Sequence, residues 1–313
     1  MTESDASGPP PAILVVGEAL IDIVVRPSGR EEHAGGSPMN VAYGLGRLGV
    51  ATTFRSVIGR DARGDRIRRH LAEAGVALDP ASVTDAPTST ALAAIRPDGQ
   101  AEYTFDIAWN PGAIAAPSGV ALAHTGSIAT VLPPGAADVR RLFGAMADTA
   151  LLSFDPNVRP AVAGDREAAI DAVEAIAARA HIVKMSDEDA AWLHPDIALE
   201  DVLDRYLAAG AGLVAVTRGA DGCLVASPRA RLALPSIPVD VVDTIGAGDA
   251  FMSGLLSGVL DRDLIGAVRE RRLEAEALRA VADQALASAR VTVSRAGANP
   301  PTRTELRAAL AAR

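Results

Sequence analysis

The sequence predicts an α/β fold, a doubly wound and mostly parallel sheet with helices on both faces and a small β excursion. Three observations carry this expectation. Continuous apolar runs of strand length bounded by glycine, such as "AILVVG" (12–17), read as strands buried on both faces. Helix-length segments with apolar positions three and four apart alternate with those runs and tend to close on glycine. At 313 residues and 49% hydrophobic content, the chain is long and apolar enough to bury such a core.

Taken in order, residues 1–11 ("MTESDASGPPP") read as a disordered tail, and "AILVVG" is the first core strand. "ALIDIVV" (19–25) alternates more loosely and is expected to leave the core. "PMNVAYGLGRLG" (38–49) is a helix with Val41, Leu45 and Leu48 on one face and Gly49 as its cap. "TTFRSVIG" (52–59) reads as one strand and "GDRIRRHLAEAG" (64–75) as a helix. From Thr88 to Ile107, two alternating runs flank Pro-Asp-Gly and predict a β-hairpin. "HTGSIA" (124–129), "LLSFDPN" (151–157), "HIVKMS" (181–186) and "LVAVTRG" (213–219) are strand candidates, with helices predicted over 135–148, 165–180 and 199–210. "GCLVASPRARLALPS" (222–236) is a second hairpin, and "VDVV" (239–242) a strand that runs into a helix beginning near Asp249. A helix over 273–290, a short strand "VTVS" (291–294) and a last helix complete the chain. Everything from 12 to 313 reads as one main domain with a small β part at about 20–33 and 88–110.

Composition narrows the function. The net charge of −9 gives no basic footprint for nucleic acid or an anionic membrane surface. No apolar stretch reaches the roughly 18 residues of a membrane span. The single Cys223 offers neither a disulfide framework nor cysteine-based zinc spacing. With no basic and apolar leader at its start, the chain reads as cytoplasmic.

The chemistry concentrates in "DTIGAGDAF" (243–251). Gly246, Ala247 and Gly248 let main chain approach a ligand, and the following helix directs N–H groups and its dipole at an anion. Asp249 in that place is either a support for the helix N-terminus or a base that takes the proton of an attacking hydroxyl while the N–H groups of 247–249 stabilise a transferring phosphoryl group. The first βα junction reads "GEALID" where a dinucleotide site needs Gly-x-Gly-x-x-Gly, so a nicotinamide oxidoreductase is a poor reading.

The string "DTIGAGDAF" resembles the second signature of the PfkB/ribokinase family of carbohydrate kinases. "AGGSPMNVAYGLGRLG" (34–49) followed by "SVIGRDARGD" (56–65) resembles the first. The resemblance covers roughly 12–310 and implies a ribokinase-like three-layer αβα sandwich with a β-sheet lid drawn from the small β part. It implies an enzyme that phosphorylates a sugar hydroxyl with ATP and Mg2+, with Asp249 as general base and Gly246, Ala247 and Gly248 as the anion hole. Asp22 in "GEALID" matches the acid that accepts from sugar hydroxyls; read alone it is a solvated acid at a strand end. Gly35, Gly36 and Asn40 match the sugar-facing part of the first signature, and Ser37 and Pro38 complete "GGSPMN".

"SFDPNVRP" (153–160) matches a segment that delivers an acid, an Asn and a base into the cleft, although Asp155 and Asn157 are also ordinary turn chemistry. The resemblance sets Arg159 near the sugar or the transferring phosphate. In "VKMSDEDAAWL" (183–193), Ser186 and Asp189 stand where the family has Asn and Glu for magnesium and phosphate, Ser186 being equally a plain N-cap. Lys184 is expected to reach nucleotide phosphate. Thr217, Gly219 and Gly222 in "VTRGADG" match the nucleotide loop, and residues from Leu286 to Asn299 would flank adenine. Asp243 and the carbonyls of Ile245, Thr292, Arg295 and Gly297 match a monovalent-cation site, potassium in the family.

"GGSPMN" is nearest to fructokinase-like members, so D-fructose or a related ketose is the expected substrate. Kinases of 2-keto-3-deoxygluconate, ribose or nucleosides are the alternatives, and a non-catalytic sugar or nucleotide regulator is the alternative of a different class. Tyr103, Phe105 and Trp109 either shape selectivity or pack the lid. Lid edges that pair between subunits imply a homodimer.

Overall fold

The structure, a computed structural model, describes residues 12–26, 29–95 and 101–312. The tail 1–11 and the Pro-Asp-Gly turn of the first hairpin lie outside the described residues. In chain order the strands are β1 (Ala12–Val16), β2 (Leu20–Arg26), β3 (Gly29–Gly35), β4 (Thr52–Arg55), β5 (Ile58–Gly59), β6 (Ala77–Leu78), β7 (Val83–Thr84), β8 (Thr90–Ile95), β9 (Ala101–Asp106), β10 (Val120–Gly126), β11 (Leu151–Asp155), β12 (Ile182–Ser186), β13 (Leu213–Thr217), β14 (Cys223–Ser227) and β15 (Ala230–Leu234). The helices are α1 (Ser37–Arg47), α2 (Ala62–Glu73), α3 (Gly135–Met146), α4 (Pro160–Ala163), α5 (Arg166–Ala177), α6 (Asp187–Leu193), α7 (Leu199–Ala209), α8 (Ala247–Asp261), α9 (Ile265–Arg269), α10 (Ala275–Val293) and α11 (Arg303–Ala311).

Nine strands form the central sheet in the order β15-β14-β13-β12-β11-β10-β1-β4-β6, parallel except for the antiparallel β14 and β15. Because side chains alternate across a strand, the apolar runs supply two cores. Ile13, Val15, Leu122, Leu151, Ile182 and Leu213 face the side covered by α1, α8 and α10. Leu14, Val16, Ala123, Leu152, Val183 and Val214 face the side of α3, α5 and α7. On the first face the same alternation carries His124, Ser153, Asp155 and Lys184, all buried, towards the carboxyl ends of the strands. A parallel sheet binds ligands at that end.

A second sheet of four strands, β3-β2-β8-β9, stands apart. "ALIDIVV" does leave the core: β2 pairs antiparallel with β3 and parallel with β8, and β8 with β9 forms the expected hairpin. Its register sets Asp22 opposite Ala91, and Ala91 opposite Phe105, so these share one face. The other face carries Ile23 and turns to α2, where Arg63 Nη2 donates to Glu32 Oε1 at 3.0 Å.

Four strand expectations fail in whole or in part for physical reasons. "TTFRSVIG" breaks after Arg55, since β4 belongs to the central sheet while β5 pairs only with β7. "VTVS" is the last turn of α10: packing against α8 overrides β-branched propensity, and Thr292 Oγ1 donates back to Ser288 O at 2.9 Å. "VDVV" is irregular chain whose Val242 and Asp243 N–H groups reach Val293 O at 2.8 and 3.2 Å, leaving Val241 61% and Val242 65% exposed. "HTGSIA" ends its strand at Gly126 and continues as a 3-10 turn over Ser127–Thr130.

Candidate active site

Asp249 is the third residue of α8 and 9% exposed. The helix starts there because Gly246 takes φ 74°, a left-handed turn next to Ala298 that a side chain could not share. No side chain caps α8; Ala247 N–H turns back to Thr244 O at 3.2 Å, so Gly248 and Asp249 hold the first-turn N–H groups available to an anion. The first turn of α1 meets Asp249 from the other side. Ser37 Oγ donates to Asp249 Oδ1 at 2.6 Å, and Asn40 Nδ2 donates to Oδ2 at 2.9 Å. Two uncapped helix N-termini thus converge on one carboxylate. The sequence pointed Asn40 at the sugar; its amide NH2 here holds Asp249.

Around this centre, Asp22 lies across Gly35, where a methyl group would overlap its Oδ2. Burial pushes the Asp22 carboxyl up to about 6, against the charges of His33 and Arg159. Arg159 is exposed, its Nη1 donating to Val158 O at 3.1 Å, and close enough to Asp22 and Glu18 for its charge to act on both. Glu18, which the sequence did not single out, is 4% exposed. Its Oε2 accepts from Ala129 N at 3.2 Å, and burial pushes its carboxyl up to about 7. A proton therefore stays on folded Glu18 between its ordinary 4.5 and about 7, while the unfolded chain has lost it. Folding stability falls across that window as pH rises, by about 3 kcal/mol from this group. Glu18→Gln is expected to abolish that slope, read as the difference between variant and wild-type urea midpoints at pH 5 and pH 7.5.

Beneath α8, Lys184 is 3% exposed and its Nζ donates to Asp155 Oδ2 at 2.8 Å. The ammonium stands under the anion site, 3.0 Å from where a side chain on Gly248 would begin. Ser186 is the N-cap that the sequence allowed, with Asp189 as its partner. Ser186 Oγ accepts from Asp189 N at 3.0 Å and Asp189 Oδ2 accepts from Ser186 N at 2.9 Å, a reciprocal capping box. Asp189 Oδ1 accepts from Val158 N at 2.7 Å, tying the Asn157–Arg159 turn to α6. Both Asp189 oxygens thus accept from backbone N–H groups. Asn157, at φ 34°, donates its N–H to Asp155 Oδ1 at 3.2 Å, so Asp155 closes its own turn as well as pairing Lys184.

On the nucleotide side, Thr217 pairs in register with Ser186, and the turn Gly219–Asp221 ends at Gly222 with φ 85°. Asp243 joins two loops, its Oδ1 accepting from Ile245 N at 3.0 Å and its Oδ2 from Gly297 N at 2.8 Å. Thr292 O accepts from Arg295 N at 3.1 Å and Gly297 O from Asn299 N at 2.8 Å. The structure therefore brings Asp243, Ile245, Thr292, Arg295, Gly297 and Asn299 to one place beside Gly246. Trp109 is 2% exposed with Nε1 donating to Ala129 O at 3.0 Å, and it packs into the core of the central sheet against Gly135 at the start of α3; the Tyr103 side chain lies outside the described residues.

The sequence profile described as pfkB family carbohydrate kinase matches residues 11–305. The chain belongs to that family. It is a sugar kinase, transferring a phosphoryl group from ATP to a sugar hydroxyl. Among its relatives, a fructokinase of Rhizobium leguminosarum bv. trifolii is 32% identical over 279 residues, 85% of each chain. The structure of a fructokinase from Xylella fastidiosa with bound ATP superimposes with a TM-score of 0.80 at 26% identity, covering 96% of this kinase and 98% of that chain. A double mutant of the Vibrio cholerae O395 fructokinase, in a form with fructose, ADP and potassium bound, gives 0.79 at 25% identity, covering 96% and 97%. No helix among the described residues of this kinase is long and apolar enough to cross a membrane.

Proposed function

We propose that this kinase phosphorylates D-fructose or a closely related ketose, with Asp249 as the general base. The observation that carries the reading is the convergence of two helix N-termini on Asp249, with Asp22 and Arg159 on the sugar side and the loops of Thr217 and Asp243 on the other. Asp249 takes the proton of the acceptor hydroxyl, and the Gly248 and Asp249 N–H groups, backed by Lys184, stabilise negative charge on the transferring group. Asp22, Gly35, Gly36 and the free carbonyl of Asn40 hold the sugar hydroxyls. The small sheet presents its Asp22 face as the lid and keeps water from the phosphoryl group.

ATP with its divalent ion supplies the phosphoryl group. Thr217, Gly219 and Gly222 lie along its phosphates, and Val241, Val242 and Ile245, more than half exposed beside the Leu286–Asn299 segment, offer apolar surface to its base. The described residues hold no cluster of three or more acids, histidines or cysteines for a metal. That suits magnesium, which keeps its waters and rides on phosphate oxygens with few protein ligands. The loops stitched by Asp243 gather carbonyl oxygens of the kind potassium takes, and such an ion would steady the turn that carries Asp249. A buried single thiol and a need for ATP suit the cytoplasm. The two outer edges of the small sheet, β3 and β9, suit pairing with a second copy.

A panel of fructose, ribose, 2-keto-3-deoxygluconate and adenosine, each at fixed Mg-ATP with and without potassium chloride, tests the reading. Fructose is expected to give the highest kcat/KM, raised by potassium, from a particle twice the 32.1 kDa chain mass by light scattering. Turnover of adenosine or the sugar acid in preference to fructose would sink the substrate assignment.

A further inference from the structure

We propose that Ser37 is a positioning residue for Asp249, its hydroxyl fixing the plane of the carboxylate and so the oxygen that faces the acceptor hydroxyl. This rests on the reading of Asp249 as the base. Ser37 is the first residue of α1, 6% exposed, and its hydroxyl has no duty to its own helix: α1 is entered through Gly36 with no side-chain cap. Any small residue would satisfy the packing there, but only a hydroxyl gives Asp249 a second donor. Ser37 and Asn40, three apart, lie on one face of the first turn and take one oxygen each, at 2.6 and 2.9 Å.

Two points are needed because the terminal torsion of an aspartate is soft, with a broad two-fold profile. Held by Asn40 alone, the carboxylate plane turns about a single hydrogen bond. Held by both, it is fixed against α8, which is itself buried from Asp249 to Val259 and cannot follow the substrate. A base misplaced by a fraction of a bond length loses rate without losing substrate affinity. The pair is joined across 212 residues of sequence, so both helices must be docked for the base to be set.

The test compares wild type, Ser37→Ala, Ser37→Thr and Asp249→Asn for kcat and for KM of sugar and ATP. Ser37→Ala is expected to lower kcat about tenfold, the scale of one charge-assisted hydrogen bond, with both KM values within about twofold. Ser37→Thr keeps the hydroxyl and is expected to restore most of kcat. An infrared difference spectrum between Ser37→Ala and wild type is expected to show a shifted carboxylate band that is absent when the same comparison is made in the Asp249→Asn background, a readout that stands if the Thr variant misfolds. Wild-type kcat in Ser37→Ala, no carboxylate band, or a raised sugar KM at unchanged kcat overturns the Ser37 role while leaving Asp249 in place. An active Asp249→Asn overturns the base reading instead.

Discussion

Asp249→Asn is expected to lower kcat by about three orders of magnitude or more while sugar and ATP still bind and the fold stays intact. The amide is isosteric, so packing of α8 is preserved. Asn40 can still meet the side-chain carbonyl, and Ser37 can turn its hydroxyl to accept from the amide NH2. What disappears is the acceptor of the sugar proton. In the proposed mechanism the remaining parts of the site, the α8 N–H groups and Lys184 beneath them, act on the transferring group and not on the nucleophile. Single-turnover rates with saturating fructose, beside an equilibrium measurement of fructose and ATP binding, separate the two effects. A variant with kcat within tenfold of wild type would show that another group, Asp22 being the nearest candidate by chemistry, takes the proton.

Motifs made of small residues were legible in the sequence because their constraint is local. Gly246 must adopt a left-handed turn and Gly35 must leave room for Asp22, and both needs show as glycine within a short string. Strands of the central sheet were legible because burial on both faces writes an uninterrupted apolar run, as in β1 and β13. What pairs across the fold was not. Ser37 only completed "GGSPMN" in the sequence, and only the docking of α1 on α8 turns its hydroxyl into a partner of Asp249.

Glu18 is silent in sequence for the same reason, since an acid after a strand is usually solvated and nothing local says that Ser127–Thr130 closes over it. Propensity misled at the two apolar ends. Val291 to Val293 are β-branched, yet they extend a helix that α8 already supports, and Val241 and Val242 are exposed because their backbone is tied to Val293 O instead of to a strand. Ser186 and Asp189 sat in a family position for metal chemistry, and their three-residue spacing was equally that of a capping box. The structure forms the capping box.

Lys184→Met is expected to destabilise the protein by about 3 to 5 kcal/mol at pH 8, the cost of leaving a buried charge without its partner. Asp155 has no route to solvent: it is 0% exposed, its carboxyl pushed up to about 6 by burial, with Asp189 and Asp249 adding repulsion that Lys184 opposes. Burial works against the charge of Lys184, yet the three carboxylates together hold its ammonium above the ordinary lysine value. Removing Lys184 takes away a cause that lowers the Asp155 carboxyl, so that group climbs further and the folded state binds its proton more tightly than the unfolded chain does. The penalty is therefore full at high pH and relieved as pH falls towards and below 6, where a neutral Asp155 needs no cation. Urea midpoints at pH 5.5 and 8 are expected to differ more for Lys184→Met than for wild type. Adding Asp155→Asn is expected to recover part of the loss at pH 8 and to remove the added pH dependence, because the pair is then neutral on both sides. Should Lys184→Met prove as stable as wild type at pH 8, the ammonium under α8 is dispensable to the fold, and its place beneath Gly248 would be explained by charge stabilisation of the transferring phosphoryl group alone.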